Sequence, residues 1–304
     1  MIGKTIICFM ISGLILGFSQ SCSKVDKVPV FNGDSAYVFL VDQCEIGPRY
    51  PGSQGHRQLQ RYIVKQLRRF DANVSLQPFS WVLTTGDTLH LINIIGNYKK
   101  SSRKRILLGA HYDTRPRADR DKEPSSRTKP ILGANDGASG VAVLLELARI
   151  FKKSEPPVGV DLVFFDGEDY GLEGRIDDYL LGSKYFVTHR KGYFPLSAII
   201  VDMIGDKDLE IEMEAYSMQA SPVLVEEIFS IAEKLGVREF VKRKGPAIID
   251  DHVPFIQVGI SAIDLIDFNY PYWHTLDDTP DKCSPASLEA VGKVIVHYIW
   301  GIED

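Results

Sequence analysis

Cysteine is scarce in this chain: there are four in 304 residues, and two of them, Cys8 and Cys22, fall within the first 22. Only Cys44 and Cys283 remain in the body, so a disulfide framework is limited to one bond, which an oxidising compartment permits. Two buried free thiols are the equal alternative. A basic block is also missing and the net charge is −5, which argues against a nucleic-acid partner. No Lys-Ser or Lys-Thr follows Gly137 and Gly140, so these glycines do not make a phosphate loop. The Gly-x-Ser-x-Gly elbow of serine hydrolases is absent, and no internal repeat is visible. The apolar run from Thr5 to Phe18 is too short to span a bilayer.

That run follows Lys4 and ends in Ser19-Gln20-Ser21, the layout of a secretory signal. The expected division is a signal peptide over 1–21, a polar tether over 22–33 and one folded domain over 34–304. Cys22, directly after a small residue, resembles the lipid-bearing cysteine of bacterial lipoproteins, which would tie an exported protein to the cell envelope. Simple cleavage near Ser21, leaving a periplasmic protein, is the alternative.

The body has an ordinary globular composition, 44% hydrophobic and 25% charged. Residues 34–43 look helical, and Ser53 is placed to cap a second helix in which Leu59, Tyr62, Ile63, Leu67 and Phe70 recur at helical spacing. Strands are expected around Val74 to Leu76 and over 89–95. Then strand, loop and helix alternate. Strands are expected at 106–110, 160–165, 198–201 and 261–266, and helices at 138–152, 183–189 and 221–235. A last helix opens on Ser284-Pro285, with Ser as cap. This rhythm predicts an α/β fold, a single-domain three-layer αβα sandwich with a mixed, mostly parallel central sheet. Residues 115–129 break the rhythm. They form either a solvated surface loop or a flap beside a functional site.

Ligands of open α/β sheets sit beyond the carboxyl ends of the strands. His111-Tyr112-Asp113, Asp166-Gly167-Glu168-Asp169 and Asp202 each follow an expected strand. Asn135-Asp136-Gly137 opens the 138–152 helix, and Trp273-His274-Thr275 follows the last strand. Carboxylates gathered on one edge repel and are costly to bury unless a cation compensates. Asp, Glu and His donors without Cys suit catalytic zinc. Taken alone, Asp136 could be only a helix cap. Glu168 and Asp169 are adjacent and can divide the work, one binding metal and the other acting as general base.

Together these motifs resemble the zinc aminopeptidase family M28. Within it, three segments are similar to the glutaminyl cyclases: Phe164 to Asp169, Asp250-Asp251-His252-Val253-Pro254-Phe255, and Tyr272 to Asp278. The resemblance implies that Asp136, Asp169 and His274 hold one zinc and that Glu168 is the acid/base. It implies that Asp250 and Asp202 stand in a hydrogen-bond network around Glu168, and that Trp273 walls the substrate pocket with Ile248 nearby. The implied reaction closes an N-terminal Gln of a peptide or protein to pyroglutamate and releases ammonia. The aminopeptidases of the wider family normally use two metals. Asp136 would then bridge, with His111 and Asp202 completing the second site, and aminopeptidase action is the alternative. Two departures stand out. Animal cyclases have Glu where this chain has Asp169, and they carry a Trp soon after the Glu pair that Tyr170-Gly171-Leu172-Glu173-Gly174 lacks.

Overall fold

The computed structural model describes residues 1–3 and 28–302; most of the expected signal and tether, with Cys8 and Cys22, lies outside the described residues. The folded body begins with α1 (Gly33–Glu45) and α2 (Gln54–Arg69). Ser53 caps α2 by accepting the His56 N–H, as its place before the apolar spacing predicts. The antiparallel hairpin of β1 (Asn73–Val82) and β2 (Thr88–Tyr98) follows. Alternation then sets in with β3 (Arg105–His111), α3 (Ala138–Lys153), β4 (Gly159–Phe165), α4 (Leu181–Thr188) and β5 (Ala198–Asp202). Next come β6 (Ile211–Met213), α5 (Ala215–Ala220), α6 (Pro222–Leu235) and β7 (Phe240–Lys244). The chain closes with α7 (Val253–Gln257), β8 (Ala262–Ile266) and α8 (Pro285–Gly301), the last capped by Ser284.

Six strands form one sheet in the order β1-β2-β4-β3-β5-β8. β4, β3, β5 and β8 are parallel, while β2 runs antiparallel to β4 and β1 antiparallel to β2. The parallel strands are buried on both faces, so their side chains sort by alternation. Ile106, Leu108, Leu162, Phe164 and Val201 join the larger core under α1, α2, α3, α6 and α8. Leu107, Val163, Phe165 and Ile200 face the other way, onto Phe186 of α4 and Phe255 of α7. These are the three expected layers. From β3 the chain moves to β4 on one side and later to β5 on the other. The carboxyl ends of β3 and β5 therefore frame a topological switch point, where α/β sheets bind ligands.

α3 lies close to this point because Gly140 lets it. A Cβ on Gly140 would stand 2.3 Å from the Val201 carbonyl oxygen, a contact no side chain survives.

The two-stranded pairing of β6 with β7, and the short helices α5 and α7, were not expected from the sequence. Elements of three to six residues hold too little periodicity to be read. Cys44 and Cys283 are both buried and free, the second of the two alternatives. Among the described residues no helix is long and apolar enough to cross a membrane.

Candidate active site

The switch point gathers the expected residues. His111 ends β3 and Asp202 ends β5; Glu168 and Asp169 follow β4, and Asp136 sits just before α3. The loop after β8 brings Trp273 and His274 to the same edge. Asp136 does not cap α3: Gly137 occupies the cap position, with φ +97°, and makes no side-chain bond. A Cβ there would meet the Asp113 carbonyl oxygen at 2.6 Å, so the turn that aims Asp136 needs glycine. His274 and Met203 hold left-handed backbones, at φ 56° and 47°, as do Asp71, Lys99, Leu180 and Lys191, a conformation that the surrounding structure must impose on a non-glycine residue.

Two triads form around Asp136, each with ligand atoms within 4.8 Å of one another: Asp136, Asp169 and His274, and His111, Asp136 and Asp202. In the first, His274 Nε2 lies 3.3 Å from Asp169 Oδ1 and 3.5 Å from Asp136 Oδ2. Asp136 Oδ2 and Asp169 Oδ2 are buried with no hydrogen-bond partner. Two orphaned carboxylate oxygens beside an imidazole nitrogen are what a divalent cation would satisfy, and the donor set fits zinc. In the second, His111 Nε2 stands 3.0 Å from Asp202 Oδ1 and 3.3 Å from Asp136 Oδ1, and the His111–Asp202 pair is hydrogen-bonded.

Residues to which the sequence assigned no such role hold this centre in place. Asp113 accepts the backbone N–H groups of Glu168 at 3.0 Å and Asp169 at 3.3 Å. Asp278 does the same for the other ligand loop, accepting Asn135 N–H at 2.8 Å and Asp136 N–H at 3.1 Å, along with the Tyr270 hydroxyl at 2.8 Å. Arg115 donates to Asp169 Oδ1 at 2.7 Å and to Asp119, and Asp119 in turn faces His274 Nδ1 at 3.5 Å. Ligand-bearing histidines are commonly steadied by such a carboxylate. The irregular segment 115–129 divides: its first part, through Arg115 and Asp119, flanks the site and is tied down by Arg120 N–H to the His274 carbonyl and by Leu276 N–H to Asp121, while most of 122–129 is exposed surface.

The two adjacent carboxyls are set apart electrostatically. Burial pushes Glu168 well above the usual carboxylate range; His111 pulls it back, and Asp169 and Asp250 raise it further. For Asp169 burial opposes the charge, but His274 and Arg115 outweigh it and hold the carboxyl below its ordinary value. Burial and the Asp202 charge push Asp250 up to about 6. A carboxyl raised toward the range in which it can take and return a proton thus stands beside an ionised ligand, the pattern that separates acid/base from metal-binding duty.

Over this edge opens a cavity of about 390 Å³ whose wall includes Glu168, Asp250, Ile248, Phe268, Trp273 and Tyr179. Trp273 stacks on His274 with ring centroids 3.9 Å apart and leans on Phe268 at 5.1 Å. Tyr179, whose hydroxyl accepts from Arg115 at 3.0 Å, is an aromatic wall of this cavity. No periodic signal marked it.

A mixed, mostly parallel sheet whose switch point gathers carboxylates and histidines around one shared aspartate defines a metal-dependent α/β enzyme. The chain belongs to peptidase family M28, whose sequence profile matches residues 93–299. It is similar to the crystal structure of Bacteroides thetaiotaomicron glutaminyl cyclase bound to N-acetylhistamine, with 37% identity and a TM-score of 0.88 over 91% of this chain and 100% of that one. A Zn-dependent exopeptidase from Parabacteroides distasonis matches with 35% identity and a TM-score of 0.88, again over 91% and 100%. The glutaminyl-peptide cyclotransferase of Bos taurus is 23% identical over 285 residues, 83% of this chain and 77% of that protein.

Proposed function

We propose that this chain is a glutaminyl-peptide cyclotransferase, closing the N-terminal Gln of peptides and proteins to pyroglutamate with release of ammonia. The observation that carries the reading is where the unsatisfied atoms lie. Asp136 Oδ2 and Asp169 Oδ2 stand unpaired, while His111 and Asp202 bond to each other. That favours one ion, held by Asp136, Asp169 and His274, over the two-ion centre of an aminopeptidase. Zinc bound there would polarise the side-chain amide of the substrate and steady the negative charge that develops on its oxygen.

The chain's own residues do the rest. Ile248, Phe268, Tyr179 and Trp273 enclose the Gln side chain and exclude water from it. Folding that side chain back on its own α-amine supplies proximity. Glu168 takes one proton from the α-amine as its nitrogen bonds to the amide carbon. As the carbon–nitrogen bond to the amide NH2 breaks, Glu168 returns the proton, and ammonia leaves. Asp250, kept partly protonated beside it, and Asp202 help hold the Glu168 proton in play. The N-terminal signal read from the sequence would export the enzyme, with Cys22 as lipid anchor, toward exported Gln-initiated substrates.

The test is to incubate the zinc-loaded protein with a Gln-initiated and a Leu-initiated peptide. Ammonia from the first with cleavage of neither is expected, and Glu168→Gln is expected to lower kcat by about 100-fold or more while zinc content is retained. Free Leu without ammonia would overturn the reading in favour of an aminopeptidase.

A further inference from the structure

A second concavity adjoins the catalytic one. It measures about 310 Å³ and shares Tyr179, Ile249, Trp273 and His274 with its neighbour. We propose that it is a subsite for the side chain of the substrate's second residue, and that it selects large apolar side chains. The inference rests on the cyclotransferase reading and adds a substrate class to it.

The α-amine of an N-terminal Gln has to reach Glu168, so the first residue fills the catalytic cavity. The Cα of the next residue follows at about 3.8 Å and therefore leaves at the rim. The part of the rim built by the four shared residues opens into the second concavity. Trp273 is a wall of both, with the Arg120 guanidinium 5.2 Å from its ring centroid.

The lining decides the chemistry. Its charges are already matched within the protein. Arg115 is 2.6 Å from Asp119 and 2.7 Å from Asp169, and Arg120 is 3.2 Å from Glu173. A charged side chain entering here finds no unmatched partner and loses water. Ile176 and Ile249, by contrast, are 49% and 50% exposed at the opening. An apolar side chain laid on them, with Tyr179 and Trp273 behind, removes apolar surface from water on both sides.

The experiment measures kcat/KM for ammonia release from a series of Gln-Xaa-Ala amides, with Xaa as Phe, Leu, Gly, Glu or Lys. Zinc-loaded wild type and Ile176→Ser are compared. In the wild type Phe and Leu are expected to exceed Gly, Glu and Lys by about tenfold or more. Ile176 is half-exposed, so its replacement leaves the fold intact; the Phe to Gly ratio is expected to fall to about a third or less. Ammonia release that is indifferent to Xaa, or an Ile176→Ser variant that keeps the wild-type ratio, overturns the subsite and leaves the cyclotransferase standing. No ammonia from any peptide overturns both.

Discussion

Asp278 lends itself to a quantitative test. Its carboxylate has no exposed surface and accepts three hydrogen bonds, from Asn135 N–H, Asp136 N–H and the Tyr270 hydroxyl. Asp278→Ala would leave three buried donors without an acceptor, at about 1–3 kcal/mol each. An opposing effect is relieved at the same time. Burial, and then the Asp136 charge, push the Asp278 carboxyl up to about 7 from an ordinary 3.8, so keeping it ionised at pH 8 costs about 4 kcal/mol. At about 2 kcal/mol per donor, the difference leaves Asp278→Ala destabilised by about 2 kcal/mol. Asp278→Asn keeps an acceptor for two of the donors and loses the Asp136 N–H anchor, at about 1–3 kcal/mol, while relieving the same ionisation cost of about 4 kcal/mol, so it should be no less stable than wild type. Both should loosen Asp136 and weaken zinc binding by about 10- to 100-fold. Urea denaturation of metal-free protein at pH 8 measures the first effect, and competition with a chromogenic chelator the second. An alanine variant within about 0.5 kcal/mol of wild type, with unchanged zinc affinity, would refute the claim that Asp278 holds the ligand loop.

Two further expectations concern groups away from the reacting atoms. His56 Nε2 lies 2.7 Å from Asp166 Oδ1, and although burial opposes its charge, Asp166 outweighs burial and raises the imidazole above its ordinary 6.5. A raised folded value means the pair stabilises fully below about pH 6.5 and loses that contribution as pH rises through the folded value. The stability gap between wild type and His56→Gln should thus be widest near pH 5.5, at about 3 kcal/mol, and narrower at pH 9; urea melts giving a gap that is constant or grows with pH would contradict the charged pair. Burial pushes the Cys44 thiol up to about 11 and Cys283 well above its usual range, so in a protein with Cys8 and Cys22 replaced by Ser neither should react with Ellman's reagent at pH 8 until urea is added, and two thiols should then appear. Prompt labelling of the folded protein, or none after unfolding without reductant, would contradict two buried free thiols.

Sequence reasoning found the edge of the sheet more readily than its order. A parallel strand is a short apolar run, and the polar residue just after it must lie at the carboxyl edge, so His111, the Glu168–Asp169 pair and Asp202 were all legible. That β2 lies beside β4 and not β3 was not, because strand pairing leaves no mark within either strand. The choice of Asp136, Asp169 and His274 among the donors came from resemblance, since His111 and His274 approach Asp136 at near-equal distances, 3.3 and 3.5 Å. Arg115 and Asp278 were illegible for another reason: they reach Asp169 and Asp136 from 54 and 142 residues away, along loops with no periodic pattern. Tyr179 escaped notice because it ends a 3-10 turn, Ile176–Asp178, and not a strand.

Asp136 turns one oxygen toward His111 and the other toward His274. Replacing it cannot exchange one centre for the other; it removes both. The second centre depends in addition on His111 and Asp202, which hold each other at 3.0 Å. Because this chain keeps both, one ion or two is decided by whether that pair stays closed on itself or opens toward a cation, and not by which residues are present.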